Sequence, residues 1–442
     1  MSLDLNSNQP IRYLQVYDYY KNLIVTGLLP ENTKMPSIRK CASQLNLSRT
    51  TIETAYLCLA ADGYIISRPQ SGYYVTKRHS KSQLSSTKPT NDTPSSNNEI
   101  IYNFTSNNVD ADSFDFNLWR RYIKNTLRHD RRMLTYGEAQ GEYELRETIC
   151  NYVINKRNAV CRPENIVIGA GSQALMNILC PLIKDHKGIC FHDTHFAQGM
   201  IIFEDYGFEI ENYRKNAQIL YMTPSHITSF DDVMSVTKRL SLLKEASEQN
   251  QLIIEDDYDN EFRYFSKPIP CLQGLAGGEN VVYLSTFSKL LLPSIRLSFM
   301  ILPDELLDKY LQKKSLYNQT ASKSEQLALC QFLRDGHLDS QIRKLKRLYS
   351  NKAKLLSSLL EKAFDKNAIV SMGESVFLVH LKIKCNMTGQ QLKKKLTDNG
   401  ILVFAPEANE NNEYAHIALS CCEISINELP KAVDLLKKAI YS

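Results

Sequence analysis

The sequence predicts two folded parts, a winged helix-turn-helix followed by a large α/β domain with a mostly parallel sheet. Three observations predict it. Short helical periods split by a three-residue break fill the first 61 residues, and two short apolar runs follow. A polar stretch rich in Ser, Lys, Thr, Asn and Pro then interrupts the chain. Beyond it, short apolar strands alternate with longer helical stretches, as when helices join parallel strands.

The first helix is predicted over about Ile11 to Gly27. Tyr13, Val16, Tyr17, Tyr20, Leu23 and Ile24 recur there at helical spacing, and Gly27 suits a C-terminal cap. Ser37 suits the N-cap of a second helix with Ile38, Cys41, Ala42 and Leu45 on one face. After the break Asn46-Leu47-Ser48, a third helix runs from about Arg49 to Ala61. It turns Ile52, Ala55, Tyr56 and Leu59 inward and opens its other face with Arg49, Thr50 and Thr51. Two short helices across such a turn form a helix-turn-helix, and small polar side chains at the start of the second suit a DNA major groove.

Two apolar runs, 64–66 and 73–75, flank Ser67-Arg68-Pro69-Gln70-Ser71-Gly72. This reads as a two-stranded wing with a basic tip that can lie along phosphates. Residues 1–81 hold ten Lys and Arg against five Asp and Glu, whereas the rest of the chain is balanced at 43 of each. Nucleic-acid contact is therefore expected at the N-terminal part. A helix-turn-helix used only for protein contacts is the competing reading.

Residues 1–77 are expected to form the DNA-binding domain, 78–100 a flexible linker that cannot bury a core, and 101–442 the α/β domain. The start of the chain is polar, and no stretch reaches the ~18 apolar residues of a membrane helix. A cytoplasmic location without membrane contact is expected. The eleven cysteines are odd in number, scattered and without a C-x-x-C pair. They point to reduced thiols rather than a disulfide framework, and no metal site is expected.

Three segments of the α/β domain carry chemistry. A strand at Asn165-Ile-Val-Ile168 runs into Gly169-Ala170-Gly171-Ser172-Gln173 and a helix. Glycines allow close backbone approach, and the free N–H groups of a helix start attract phosphate. Alone, this fits a dinucleotide loop, with Asp193 about 20 residues on, or a mere tight turn. The second segment, Leu252-Ile-Ile-Glu-Asp-Asp-Tyr-Asp259, is a strand ending in acids beside a tyrosine; a metal site or a solvated loop would look the same. In the third, the strand Val281-Val-Tyr-Leu284 leads into Ser285-Thr286-Phe287-Ser288-Lys289, with Arg296 seven residues beyond the lysine.

Parallel strands gather their C-terminal ends on one edge, where ligands bind. That edge here offers a helix start, a carboxylate, and a lysine among hydroxyls and an arginine. Pyridoxal 5'-phosphate needs these groups: an amine for its aldehyde, an acid for its ring nitrogen, and donors for its phosphate. A nicotinamide site has no use for the Lys289 segment.

Family motifs follow the same residues. Met35-Pro-Ser-Ile-Arg-Lys, Ser48-Arg-Thr-Thr-Ile and Ser71-Gly-Tyr-Tyr-Val resemble the winged helix of the GntR family of repressors. The resemblance implies DNA contacts by Ser37, Arg39, Ser48, Arg49, Thr50, Thr51, Arg68, Ser71 and Gly72. The rest resembles a fold-type-I aminotransferase, a large mostly parallel sheet domain with a smaller α+β C-terminal subdomain. The matching motifs are Trp119-Arg120, Tyr136-Gly137-x-x-x-Gly141, Leu145-Arg146, Pro163-Glu164-x-Ile166, Gly171-x-Gln173, Thr223-Pro-Ser-His226, Glu255-Asp-Asp-Tyr-Asp259 and Ser285-x-x-Ser-Lys289. Joined, the two parts resemble the MocR family of regulators.

That resemblance implies Lys289 as the Schiff-base lysine, Asp256 at the pyridine nitrogen with Asp257 as its rival, and Tyr258 at the phenolic oxygen. It implies Ser172, Gln173, Thr286, Ser288 and Arg296 at the phosphate, and Phe196 stacked on the ring. Tyr136 would reach the phosphate of a partner subunit in a domain-swapped, head-to-tail homodimer.

Two departures stand out. Ile227-Thr228-Ser229-Phe230 replaces the Pro-Thr-Gly usual after Pro-Ser-His. Ala418, in His416-Ile-Ala-Leu-Ser420, stands where aminotransferases place the arginine that clamps a substrate carboxylate, and alanine has no equivalent of that planar fork. His416 is an alternative anion ligand. The expected function is a regulator binding a double-stranded DNA operator and sensing pyridoxal phosphate itself or an amino compound, with vitamin B6 or amino-acid metabolism under its control. An active aminotransferase with an attached DNA-binding domain is the alternative.

Overall fold

A computed structural model describes residues 12–76 and 100–441, except 107, 111–112, 129, 193–195, 226–232, 259, 263–268, 374–376, 386 and 406–413. The expected linker therefore falls outside the described residues but for Ile100, as do Asp193, His226, the altered segment after it, and Asp259. The chain divides into two compact units, Met1–Ser95 and Ser96–Ser442.

In the first unit, α1 (Arg12–Val25), α2 (Ile38–Leu45) and α3 (Arg49–Ala61) precede a hairpin of β1 (Ile65–Arg68) and β2 (Gly72–Val75). Val16, Tyr20, Cys41, Ile52, Ala55, Tyr56 and Leu59 form the core, the same faces that the helical spacing picks out. So small a unit needs efficient packing, and tyrosines supply it. Tyr56 meets Tyr20 and Tyr73 edge to face, at 5.7 and 5.4 Å between ring centres. The Tyr56 hydroxyl donates to the Pro36 carbonyl at 3.0 Å, tying α3 to the residue before the α2 cap.

The second unit begins with β3 (Tyr102–Asn103) and is built on seven strands. These are β4 (Ile166–Gly169), β5 (Gly188–Phe191), β6 (Glu209–Ile210), β7 (Ile219–Met222), β8 (Leu252–Asp256), β9 (Val281–Thr286) and β10 (Ser298–Ile301). Their order is β4-β10-β9-β8-β7-β5-β6. All neighbours are parallel except β10, which runs antiparallel to both β4 and β9. β4, β5 and β7 are buried along their whole length, as expected of strands covered on both faces.

Four strands complete the chain: β11 (Ala368–Met372), β12 (Leu378–Lys384), β13 (Ile401–Leu402) and β14 (Tyr414–Ser420). β11, β12 and β14 form an antiparallel sheet, while β13 pairs with β3. This sheet has its own core, with Val379, Leu381, Ile383, Ala415, Ile417 and Leu419 packed among helical Leu356, Leu360, Leu392 and Leu436. All eleven cysteines are free thiols. Among the described residues, no helix is long and apolar enough to cross a membrane.

Candidate functional site

Strand order assembles the edge where the sequence motifs meet. Ser298 opens β10 and faces Gly169 of β4 on one side and Thr286 of β9 on the other. Two loops distant in sequence, 169–172 and 285–289, are thereby set side by side. The Ser298 hydroxyl donates to Thr286 Oγ1 at 2.8 Å, and the Ala170 amide donates to Thr320 Oγ1 at 3.0 Å.

Gly171 caps the helix Ser172–Leu179 with φ 94°. A Cβ at this position would lie 2.3 Å from a guanidinium nitrogen of Arg296. Glycine is therefore required both by its φ and by the arginine drawn over the helix start. Arg296 itself adopts a left-handed conformation, φ 51°. Ser172 is half-buried at the first turn, and the exposed Gln173 amide donates to Gln198 Oε1 at 3.3 Å. In the facing loop, Thr286 Oγ1 donates to Ser288 Oγ at 3.1 Å and accepts from the Ser288 amide at 3.2 Å. Cation, hydroxyls and helix N–H groups thus converge where an anion would be stabilised.

Lys289 follows β9 and is half-buried. Its Nζ lies 4.6 Å from the ring centre of Tyr258 and 5.3 Å from that of Phe377. Asp256, at the end of β8, accepts a 2.6 Å hydrogen bond from the Tyr221 hydroxyl. The Phe196 ring stacks on Tyr221, 5.5 Å between centres at 26°.

The neighbouring acids point the other way, as alternation along a strand demands. Asp257 is buried, paired with Arg157 Nε at 2.7 Å, and accepts from the Tyr283 hydroxyl at 2.7 Å and Ser225 Oγ at 3.2 Å. Glu255 accepts the amides of Leu272 and Gln273 at 2.8 and 3.0 Å. Burial first, then the Asp257 charge, pushes Glu255 up to about 7. Asp257 is thus occupied inside the fold, and Asp256 is the acid turned to the edge.

Two expected positions lie apart from this cluster. Tyr136 is fully exposed, and its carbonyl accepts from Lys323 Nζ at 3.2 Å. Ala418 is buried on β14 opposite His380 of β12, and its backbone exchanges hydrogen bonds of 3.1 and 2.9 Å with Phe404. His416 shares that face, its ring 5.5 Å from His380. Burial first, then the His380 and Lys382 charges, lowers His416 to about 4, so its imidazole is neutral near pH 7. Among the described residues no group of three His, Cys, Asp or Glu could hold a metal ion.

In the N-terminal unit, Ser37 and Ser48 cap their helices, accepting from the amides of Lys40 and Thr51 at 3.2 and 3.1 Å. Ser48 also bonds the hydroxyls of Thr50 and Thr51 at 2.8 and 2.7 Å. Arg39, Arg49 and Thr50 are exposed, and Thr51 is half-buried. At the wing, the Arg68 guanidinium lies 4.4 Å over the Tyr74 ring, Ser71 bonds the Tyr74 hydroxyl at 2.7 Å, and Gly72 takes φ 104°. Lys34, which the sequence patterns do not single out, bridges to Tyr74 and adds a second cation 5.9 Å from the ring.

Phe377, Tyr221 and Thr320 also escape the sequence motifs. Each reaches the site from an element distant in the chain. Tyr221 alone carries a local hint, two residues before Thr223-Pro-Ser.

Comparison with known proteins agrees with both units. The model of bacterial regulatory proteins of the gntR family matches residues 12–75, and that of aminotransferase class I and II matches residues 99–254 and 240–436. The HTH-type transcriptional regulator YdeL of Bacillus subtilis (strain 168) is 33% identical over 450 residues, 97% of this chain and 96% of the relative. The probable rhizopine catabolism regulatory protein MocR of Rhizobium meliloti is 28% identical over 387 residues, 81% of this chain and 78% of the relative. An archaeal alanine:glyoxylate aminotransferase structure superposes with a TM-score of 0.65 at 22% identity, covering 76% of this chain and 90% of its own; it shows the shared fold.

Proposed function

Since the chain belongs to the MocR type of GntR-family transcriptional regulator, we propose that its aminotransferase-like domain senses pyridoxal 5'-phosphate itself or an amino compound that meets it. The observation that carries this reading is the Gly171–Arg296 cradle at the edge that also holds Lys289 against Tyr258. When bound, pyridoxal phosphate supplies an aldehyde that captures amines and a ring that withdraws electrons.

The residues present fit that group. Gly171 lets the Arg296 guanidinium approach the helix start closely, and a phosphate held there would meet that guanidinium with Ser172, Gln173, Thr286 and Ser288 as further donors. Lys289 would be the covalent anchor. Asp256, aimed by the Tyr221 hydroxyl, would hold a proton on the ring nitrogen. Tyr258 would face the phenolic oxygen, and Phe196 would cover the ring.

Ala418 favours sensing over turnover. It is buried between strands and offers a substrate carboxylate no guanidinium. Exposed Leu134, Tyr136 and Leu316 support a homodimer, since large apolar side chains left in water favour burial against a second copy. In it, Tyr136 would complete the partner's phosphate site. Genes of vitamin B6 or amino-acid metabolism are the targets this sensing would serve.

The test titrates the purified chain with pyridoxal phosphate, following visible absorption and affinity for its operator. The reading expects a new absorption band and a shift in DNA affinity. DNA affinity indifferent to cofactor and amines would sink it. Sustained exchange between an amino acid and a keto acid would favour the working aminotransferase instead.

A further inference from the structure

α3 turns Ile52, Ala55, Tyr56 and Leu59 into the core, leaving Arg49, Thr50, Glu53 and Thr54 exposed on its outer face. The N-terminal half of the second helix in a helix-turn-helix is the part that meets base edges. Glu53 is the one acid there, on a unit whose other exposed charges at the wing and helix starts are cations.

Glu53 has no structural task to explain it. The N-cap bond runs from the Thr51 amide to Ser48, and the N3 place of a capping box belongs to Thr51. Arg49 stands one turn earlier, yet among the described residues Glu53 makes no ion pair with it or with any other cation. A carboxylate carried between two phosphate backbones is repelled by them unless a donor meets it.

In the major groove, only the amino groups of cytosine N4 and adenine N6 donate; guanine and thymine turn acceptors outward. Adenine sets its N7 acceptor beside the amino group, where a carboxylate with no proton to offer is opposed. Cytosine is therefore the base whose major-groove edge accepts a glutamate without conflict. We infer that Glu53 reads a cytosine amino group in each operator half-site, and so sets sequence choice rather than overall affinity. The inference rests on α3 being the groove-facing helix of the regulator.

The test is selection from randomised duplexes by the full-length wild type, Glu53→Gln and Glu53→Ala, each with an unchanged melting temperature. The wild type is expected to enrich cytosine at one position per half-site. In Glu53→Ala, discrimination at that position alone falls roughly tenfold or more, while other positions keep their preferences. In Glu53→Gln the preference moves to adenine, because the amide oxygen accepts from the N6 amino group while the amide nitrogen donates to N7. Base preferences identical in all three proteins at every position overturn the inference and leave DNA reading by this unit standing. A loss of affinity spread evenly over all sequences overturns it too. A wild type that enriches no sequence overturns both.

Discussion

The edge of the seven-stranded sheet that holds Lys289 and the face of the three-stranded sheet bearing His380, His416 and Ala418 differ in what they offer a ligand. At the first, a glycine leaves space for a guanidinium, a tyrosine aims an acid, and a lysine lies over a ring. At the second, an alanine and a neutral imidazole share the face. The second face alternates with Val379, Leu381, Ile417 and Leu419, which turn to the other side of the sheet and into its core. Under the proposed function, capture of a ligand and clamping of a substrate are separable in this fold, and the chain retains the groups for the former.

The sharpest way to break this contrast is Lys289→Ala. It should abolish the cofactor absorption band while leaving the melting temperature nearly unchanged; a band that survives would remove the anchor role. Next, Arg157→Met should cost about 3–5 kcal/mol by chemical denaturation, because it strands the buried Asp257 charge. Asp256→Asn, at the edge, should leave stability nearly intact and weaken cofactor binding, and equal losses from the two changes would erase the distinction between the adjacent acids. Gly171→Ala should weaken cofactor binding roughly five- to a hundredfold in a spectroscopic titration, an effect of ~1–3 kcal/mol from positive-φ strain and displacement of Arg296.

On the other surface, Ala418→Arg should lower stability by ~1–3 kcal/mol through overpacking without creating turnover of amino acids. A stable variant that exchanges amino and keto acids would show that the clamp alone was missing. The smallest effect concerns His416. Its folded pKa, about 4, lies below the ordinary histidine value, so folding excludes a proton. Its contribution is present above about pH 6.5 and lost as the pH falls toward 4. Between pH 7 and 5 the melting temperature should fall ~2 °C further in the wild type than in His416→Gln.

Much of this organisation was legible in the sequence. Whereas the cap at Ser48 emerges only in the structure, the cap at Ser37 and the inward faces of α1–α3 follow from residue type and spacing, since they are local. So does the lysine placed just beyond a strand. The choice between Asp256 and Asp257 was not settled there. In a strand buried on both faces, neighbouring acids have no polar side to declare, and Arg157, 100 positions upstream, decides which turns inward. Phe377 and Tyr221 were missed for a like reason: aromatic residues on separate strands resemble any other core residues until the fold brings them to Lys289 and Asp256.

β10, four residues long, is the one strand among the described residues that pairs with β4, and it is what sets Gly169 beside Thr286. Until Ile301 has left the ribosome, the two halves of the cradle have no strand to join them. A fragment ending between Lys289 and Ser298 holds every residue of both loops without the strand that sets them side by side. Were the proposed cofactor to bind there, its stabilisation would act on chains that have folded past β10 and pass over shorter ones.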